Sequence, residues 1–260
     1  CSAQPTTYTE ANATYALADV THLAALYPML RERLAAGTVI DVWNQAVPLS
    51  AMPGYATGDG EVRVQTLIMS VDPYMRPRLN ADQALDAPLL GGGIGRVVQS
   101  RNPKFAEGQL VKHWSGFRET FVSNGQGLAP LDRDPALPLS VYMHALGGTG
   151  ITAYGGLLET GKLKDGEQVF VSTAGGAVGS VVAQIAKIKG CYVVGSTGTD
   201  DKAAWLKDEV GLDAVINYKT QPLSAALKAA TPKGIDVYFE NVGGEHMDAA
   251  LACARPFARF

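Results

Sequence analysis

The chain has 260 residues, of which 47% are apolar and 18% are charged. A chain of this length is expected to form one large or two small domains, and this apolar content excludes a mainly disordered chain. Its 22 basic and 25 acidic residues give a net charge of −3. Because there is no basic surplus to neutralise phosphates, we expect no nucleic-acid partner.

Cysteine content and apolar runs bear on the compartment. Cys1, Cys191 and Cys253 are too few and too scattered for a disulfide framework or a zinc knuckle. We therefore expect a reducing, cytoplasmic location.

The longest stretch without a charged residue, 135–158, holds five glycines and two prolines. This composition predicts a buried globular segment rather than a membrane span. The chain begins with Cys rather than Met, which indicates a processed or incomplete chain, with a mature lipoprotein as the alternative.

Residues 1–37 differ from the rest of the chain and form the first predicted segment. Apolar residues recur there three or four positions apart, which predicts an amphipathic helix that ends before Gly37. The residues of this pattern are Val20, Leu23, Tyr27, Leu30 and Leu34.

Residues 38–138 carry strand signals. The runs 61–71, 95–100 and 109–114 are short, β-like runs that are separated by glycine and proline turns. Several short strands at this spacing predict a mainly β domain, either a small barrel or a sandwich.

Residues 139–260 alternate strands with helices. Strands are predicted at 168–172, 192–194, 214–217 and 235–240, and helices at 177–189, 200–210, 222–230 and 245–252. The last residues, 256–260, could start a fifth strand. This alternation predicts an α/β domain with a Rossmann-type, doubly wound parallel sheet.

A glycine-rich turn follows the first of these strands. From Ala174 it reads A-x-G-x-x-G, directly between a strand and a helix, which is typical of a dinucleotide site. Gly176 allows close approach of a pyrophosphate, Gly179 allows the helix to pack near the strand, and the first helical N–H groups face the anion. The alternative is a glycine turn without a ligand. The residues expected at the cofactor are Gly175, Gly176, Ala177, Val178 and Gly179.

The end of the second strand distinguishes NADP from NAD. An NAD site usually has a carboxylate there for the ribose hydroxyls, but this chain has Ser196 and Thr197, with no acid before Asp200. Lys202 follows, and Tyr218 comes just after the third strand. Hydroxyls and a lysine favour a 2′-phosphate, so we expect NADP(H). The alternative for Lys202 is a solvated lysine at a helix start.

Five stretches together resemble a known family, the zinc-independent medium-chain dehydrogenase/reductases, and within it the branch of prostaglandin reductase, alkenal double-bond reductase and curcumin reductase. They are SVDPYMR (70–76), GITAY (150–154), AVGS (177–180), NYKT (217–220) and ENVGG (240–244). They occur in the family's order and cover about residues 40–260. The first 37 residues do not resemble the family's usual start.

The resemblance implies a GroES-like, barrel-shaped catalytic domain followed by a Rossmann domain. It implies NADPH as hydride donor and an α,β-unsaturated aldehyde or ketone as acceptor. Thr152 is expected near the nicotinamide carboxamide, and Asn241 at the cofactor. Tyr74 is the expected catalytic residue, in contact with the substrate or its enolate oxygen. The alternative for Tyr74 is an aromatic residue that only packs.

Departures from the family leave other functions open. The chain has Pro77, Thr149 and Thr120 where relatives commonly have Gly, Pro and Tyr, and family members exceed 300 residues. We therefore keep two alternatives, a quinone-type oxidoreductase and a truncated, non-catalytic NADPH-binding protein. A homodimer also stays open.

The greater length of family members implies that part of the sheet is missing from this sequence. We therefore expect the strand at 235–240 to lack much of a neighbour and the helix at 245–252 to lose partners. We also expect the 260 residues alone to bind NADPH weakly.

Zinc chemistry is not expected. The four histidines, His22, His113, His144 and His246, lack the cysteine and acid partners of a catalytic zinc site. Without a Lewis acid to polarise an alcohol, alcohol oxidation is disfavoured.

Overall fold

The computed structural model describes residues 38–40, 46–48, 57–81, 84 and 87–260. The helix predicted within residues 1–37 lies outside the described residues. The chain divides into two compact units between Ser140 and Val141, close to the boundary predicted from the sequence.

The first unit is built on an antiparallel sheet. Its strands are β1 (Thr38–Ile40), β2 (Ala46–Pro48), β3 (Val62–Met69), β4 (Gly93–Ser100), β5 (Leu110–His113), β6 (Thr120–Ser123) and β7 (Ala129–Pro130). β1 pairs with β2, and the other five form a sheet in the order β6-β3-β4-β5-β7. Helix α1 (Met75–Ala81) follows β3. This unit is mainly β, as the spacing of short strands predicts.

Alternation of side chains places the core of this unit. Val62 and Val64 in β3 are fully buried, whereas the next residue, Gln65, is exposed. They pack with Val97 and Phe121 from neighbouring strands. One face of the sheet therefore buries the β-branched residues, as expected for an antiparallel sheet with one wet face.

The second unit alternates helices and strands. Its elements are α2 (Gly148–Tyr154), β8 (Gln168–Val171), α3 (Ala177–Ile188), β9 (Tyr192–Thr197), α4 (Asp200–Asp208), β10 (Ala214–Asn217), α5 (Leu223–Ala230), β11 (Ile235–Phe239), α6 (Glu245–Ala252) and β12 (Ala254–Arg259). A short 3₁₀ turn, Leu139–Tyr142, precedes α2, and a π-helical turn, Gly155–Thr160, follows it. The strands form one parallel sheet in the order β10-β9-β8-β11-β12.

Both faces of the parallel sheet are covered. Val169 and Val171 of β8 belong to a core cluster with residues of α3, whereas Phe170, between them, belongs to a second cluster with residues of α5 and α6. A strand buried on both faces reads as a continuous apolar run, which is the run visible at 168–172. The predicted fold class, a Rossmann-type sheet with a mainly β domain, is confirmed.

The strand predicted to lack a neighbour is paired on both sides. β12 runs parallel to β11, with Ile235 opposite Ala254 and Val237 opposite Arg259, and β8 pairs along the other edge of β11. The prediction was wrong because the last residues supply a full strand rather than the beginning of one. In α6, Ala250 is fully buried, whereas Leu251 is 56% exposed, so only part of that helix face is open.

Membrane insertion finds no support in the described part of the chain, where every helix is too short or too polar to cross a bilayer.

Candidate functional site

The turn between β8 and α3 is held by backbone hydrogen bonds. Thr173 takes a positive φ of 50°, and its carbonyl accepts the N–H of Gly176 at 2.8 Å. The N–H of Ala174 donates to the carbonyl of Ser196 in β9, also at 2.8 Å. The turn is therefore tied both to itself and to the neighbouring strand, before any ligand is considered.

Gly179 is required by the close approach of α3 to this turn. A Cβ at Gly179 would lie 2.3 Å from the carbonyl oxygen of Thr173 and 2.9 Å from Cα of Ala174. Both atoms belong to the backbone and cannot rotate away. At Gly176, a Cβ would meet the side chain and the carbonyl of Thr173 at 3.1 Å. The close packing of helix and strand predicted for Gly179 is what the structure shows.

The first turn of α3 leaves backbone donors free. The helix has twelve residues, and its N-cap, Gly176, has no side chain that could cap it. The first intrahelical bond runs from the N–H of Ser180 to the carbonyl of Gly176, so the N–H groups of Ala177 and Val178 have no helical partner. Free donors and the positive end of the helix dipole together fit a pyrophosphate.

Lys202 and Thr197 lie against the same turn. A Cβ on Gly175 would lie 3.2 Å from Cδ of Lys202 and 3.3 Å from Oγ1 of Thr197. Lys202 is exposed and stands in the first turn of α4, where its backbone N–H donates to the side chain of Thr199. The structure thus places the side-chain stem of Lys202 against the glycine turn, and its contact with a 2′-phosphate stays a prediction.

Ser196 has a structural role that its sequence position does not reveal. The residue is fully buried. Its hydroxyl accepts the N–H of Thr173 at 3.3 Å, and its carbonyl accepts the N–H of Ala174. These bonds join β9 to the glycine turn. The Ser196 hydroxyl therefore stabilises the glycine turn in this structure, and its predicted contact with a cofactor stays a prediction.

Tyr218 approaches the end of β9 from the neighbouring strand. Its hydroxyl lies 3.0 Å from where a Cβ on Gly198 would stand, and Cε of Lys219 lies 3.3 Å from the same point. Asn217 fixes this turn, because its side-chain amide donates to Asp200 at 2.6 Å and its side-chain oxygen accepts the N–H of Lys219 at 3.1 Å. The carboxylate of Asp200 is thereby engaged at the start of α4.

Thr152 and His144 lie on the segment before β8. The hydroxyl of Thr152 donates to the carbonyl of Gly148 one turn earlier, and the residue is exposed. Nε2 of His144 lies 2.9 Å from the carbonyl oxygen of Ala177, the first residue of α3. His144 therefore joins this segment to the helix that starts at the glycine turn.

Asn241 is tied to the end of β8. Its backbone N–H donates to Oγ of Ser172 and its side-chain amide donates to the carbonyl of Ser172, each at 2.8 Å. Sequence reasoning missed Ser172 and its neighbour Glu240, which accepts a hydrogen bond from the Ser172 hydroxyl at 3.2 Å. A signal was present, because a serine and a glutamate each stand directly after an apolar strand.

Tyr74 belongs to the antiparallel unit. Its ring lies 6.0 Å from that of Trp114, centroid to centroid. Its hydroxyl oxygen is buried and has no hydrogen-bond partner among the described residues. Burial and the nearby charge of Asp72 raise the pKa of Tyr74, although no hydrogen bond of ordinary geometry joins the two. The Tyr74 hydroxyl therefore makes no hydrogen bond of ordinary geometry with a described residue, although the carboxylate of Asp72 lies nearby.

The described residues contain no group of three or more His, Cys, Asp or Glu side chains that could hold a metal ion. His113 is buried instead as a packing residue. Its Nδ1 accepts the N–H of Ser115, its ring contacts that of Phe121, and burial lowers its pKa to about 4.

Two family descriptions match this sequence. Residues 44–131 match the N-terminal domain of oxidoreductase, and residues 177–260 match the family described as zinc-binding dehydrogenase. The first range contains the antiparallel sheet, and the second begins at α3, directly after the glycine turn, and contains the rest of the parallel unit.

Individual relatives give a more specific comparison than the two family descriptions. The chain is 46% identical over 204 residues to prostaglandin reductase 1 of Bos taurus, and 44% identical over 211 residues to the NADP(+)-dependent 2-alkenal reductase of Nicotiana tabacum. These matches cover 77% and 78% of this chain and 61% of each relative. The crystal structure of CurA from Vibrio vulnificus in complex with NADPH superposes with a TM-score of 0.71 at 34% identity, over 86% of this chain and 67% of that one.

The chain belongs to the medium-chain dehydrogenase/reductase superfamily, in the branch of prostaglandin reductase, 2-alkenal reductase and curcumin reductase. The resemblance drawn from the five sequence stretches is confirmed. The chain spans about 60% of the length of the curated relatives that it matches.

Proposed function

We propose that this protein is a zinc-independent, NADPH-dependent reductase of the carbon–carbon double bond of α,β-unsaturated aldehydes and ketones. The observation that carries the proposal is the corner formed by the free N–H groups of α3, the glycine turn and Lys202. Such a corner offers a cation and backbone donors, and so fits a dinucleotide with an extra phosphate. The likeness to a reductase crystallised with NADPH supports the same cofactor.

Different residues are proposed to bind different parts of NADPH. We assign the pyrophosphate to the N–H groups of Ala177 and Val178, and the 2′-phosphate to Lys202 and Tyr218, with Thr197 beside them. Thr152, Gly175, Gly176, Gly179, Ser196 and Asn241 complete the proposed cofactor set. The chemistry that bound NADPH supplies is donation of a hydride to the β-carbon of the enone.

Tyr74 is our candidate for the group that meets the substrate. As hydride reaches the β-carbon, negative charge grows on the carbonyl oxygen, and a hydrogen-bond donor stabilises it. The Tyr74 hydroxyl stays protonated because its pKa is raised, and it makes no hydrogen bond of ordinary geometry with a described residue. Protonation of the α-carbon then completes the reduction.

The cofactor assignment is tested by titrating the chain with NADPH and with NADH. Lys202→Ala removes a charge-assisted contact worth about 1.5–3 kcal/mol, so NADPH should bind about ten-fold more weakly or worse, while NADH should bind almost unchanged. Lys228→Ala, at an exposed lysine in the last turn of α5, is the matched control and should affect neither. Equal losses for both cofactors would contradict the assignment.

The reaction is tested by NADPH oxidation with an enal and with a quinone as acceptor, and by NADP⁺ reduction with a simple alcohol as donor. Enal-dependent oxidation that a zinc chelator leaves unchanged is the expected result. Faster turnover of the quinone would favour the alternative oxidoreductase. Binding without turnover of any acceptor would favour a non-catalytic NADPH-binding protein.

We also propose a cytoplasmic location and a homodimer. Two free cysteines are described, the buried Cys191 and the half-buried Cys253, and free thiols suit a reducing compartment. Fractionation of cells and sedimentation of the purified protein test the two statements separately.

A further inference from the structure

The carboxylate of Glu240 gathers hydrogen bonds at the ends of two adjacent strands, β8 and β11. Its Oε2 accepts the hydroxyl of Tyr238 at 2.6 Å. Its Oε1 accepts the N–H of Gly243 at 2.8 Å, the N–H of Val242, and the hydroxyl of Ser172 at 3.2 Å. One side chain is thus the common acceptor for a strand, for the loop after that strand, and for the end of the neighbouring strand.

Ser172 carries this connection to the glycine turn. It is fully buried and is the last residue before the turn that starts at Thr173. Besides donating to Glu240, its hydroxyl accepts the N–H of Asn241, and its carbonyl accepts the side chain of Asn241. The turn after β8 and the loop 241–244 after β11 therefore share one hydrogen-bonded junction, formed by Glu240, Ser172 and Asn241.

This junction requires an ionised carboxylate. Every group that faces Glu240 is a donor, and an ionised carboxylate is an acceptor at both oxygens. Burial alone would raise the pKa of Glu240, but these hydrogen bonds outweigh burial and hold the pKa below its ordinary value. A glutamine of the same shape would have to turn an NH₂ group toward at least one donor, which breaks the junction on one side.

The junction lies at the point where the order of the parallel sheet reverses. From β8 the chain moves outward through β9 and β10, then returns to place β11 on the other side of β8. In sheets of this kind, ligands bind outside the carboxyl ends of the strands at this reversal. The side chains of Lys202 and Tyr218 stand one and two strands away, after β9 and β10.

We propose that Glu240 is a positioning residue for NADPH. Through Ser172 it holds the glycine turn and the loop bearing Asn241 in the relative placement that the middle of the dinucleotide requires. This inference rests on the proposed function, since it takes NADPH as the ligand. It assigns Glu240 no contact with the substrate.

The test compares two ligands on Glu240→Gln. NADPH spans the junction, whereas adenosine 2′,5′-bisphosphate has the 2′-phosphate and a single 5′-phosphate but no nicotinamide half. We expect Glu240→Gln to weaken NADPH about ten-fold and the bisphosphate by less than about two-fold, as measured by calorimetric titration. A merely structural role would weaken both ligands alike, because both need the folded sheet.

Two further variants sharpen the test. Glu245→Gln makes the same chemical change at an exposed residue in the first turn of α6 and should leave both ligands unaffected. Ser172→Ala removes the link without disturbing the carboxylate, and should show a smaller loss in the same direction. If the effect of Glu240 passes through Ser172, the double variant should lose less NADPH affinity than the two single losses combined.

The outcomes separate this inference from the proposed function. If the unaltered protein binds neither ligand, the cofactor assignment fails and this inference fails with it. If it binds NADPH and Glu240→Gln binds NADPH equally well, only the positioning role is overturned. Equal losses of affinity for both ligands also overturn the positioning role. If Glu240→Gln does not fold, the same comparison of the two ligands on Ser172→Ala decides whether the positioning role holds.

Discussion

Two regions carry the candidate functional groups, the strand ends around the glycine turn and the turn that follows β3, and their polar groups are satisfied in opposite ways. Around the glycine turn, the side chains of Ser172, Ser196 and Asn241 all make hydrogen bonds with the backbone. After β3, the hydroxyl of Tyr74 is buried and has no partner among the described residues. Internal hydrogen bonds fix the backbone of the first turn and leave its helix N–H groups free, whereas the second turn leaves a side-chain donor free.

The two regions illustrate two ways in which a protein can offer hydrogen-bond donors to a ligand. A turn whose polar groups are already satisfied can present backbone donors to an anion without rearrangement, and this lowers the cost of binding. A buried hydroxyl without an acceptor costs stability until a ligand supplies one. Three predictions test whether the parallel and antiparallel units differ in this way.

The largest effect is expected at Gly179. Gly179→Ala forces a Cβ against the backbone of Thr173 and Ala174, and we expect it to lower the free energy of unfolding of the parallel unit by about 4 kcal/mol. Urea unfolding followed by circular dichroism measures this. Gly155→Ala is the control, because Gly155 is helical, with φ −62° and ψ −42°, and has open space at the Cβ position. If Gly179→Ala lowers the free energy of unfolding by less than about 1 kcal/mol, the backbone of the turn can move to accommodate the methyl group.

A smaller effect, in the antiparallel unit, is expected from pH. His113 has an ordinary pKa of 6.5 and a folded pKa of about 4, so the unfolded chain binds more protons between these values. The neutral ring therefore stabilises the fold above about pH 6.5, and this stability is lost as the pH falls toward 4. Between pH 7 and pH 5 we expect a loss of about 2 kcal/mol.

His113→Gln should remove most of that difference between pH 7 and pH 5, whatever its effect on stability at pH 7. A smaller slope should persist from His246, whose pKa is also lowered by burial. If the slope is unchanged in His113→Gln and vanishes in His246→Gln, the antiparallel unit is not the source of the acid sensitivity.

The smallest effect on stability is expected at Tyr74. Tyr74→Phe removes a buried hydroxyl that makes no hydrogen bond of ordinary geometry with a described residue, so the free energy of unfolding should not fall and should rise by up to about 1 kcal/mol. Tyr238→Phe, in the parallel unit, removes a hydroxyl bonded to the Glu240 carboxylate and should cost about 1.5 kcal/mol. Paired unfolding curves measure both. Equal costs would erase the contrast between the two units.

The periodicity of the sequence predicts most of the parallel unit. The helix at 245–252 and the strand at 214–217 are found with the predicted bounds, because their apolar residues and turn signals are local. The strand predicted at 192–194 extends to Thr197. Its polar end was not recognised, since Ser196 and Thr197 are buried by neighbouring strands rather than by their own hydrophobicity.

The sequence by itself determined the class of fold and the residue types at the glycine turn. A strand, A-x-G-x-x-G and a helix lie within a few residues of one another, so their geometry follows from local backbone chemistry. Residues 68 or more positions apart in the chain met only in the folded sheet, as Ser172 does with Glu240. The tertiary structure alone therefore decided that the Ser196 hydroxyl supports the turn, that Glu240 joins two loops, and that the Tyr74 hydroxyl makes no hydrogen bond of ordinary geometry with a described residue. The physical reason is that hydrogen-bond partners are set by which strand ends lie side by side.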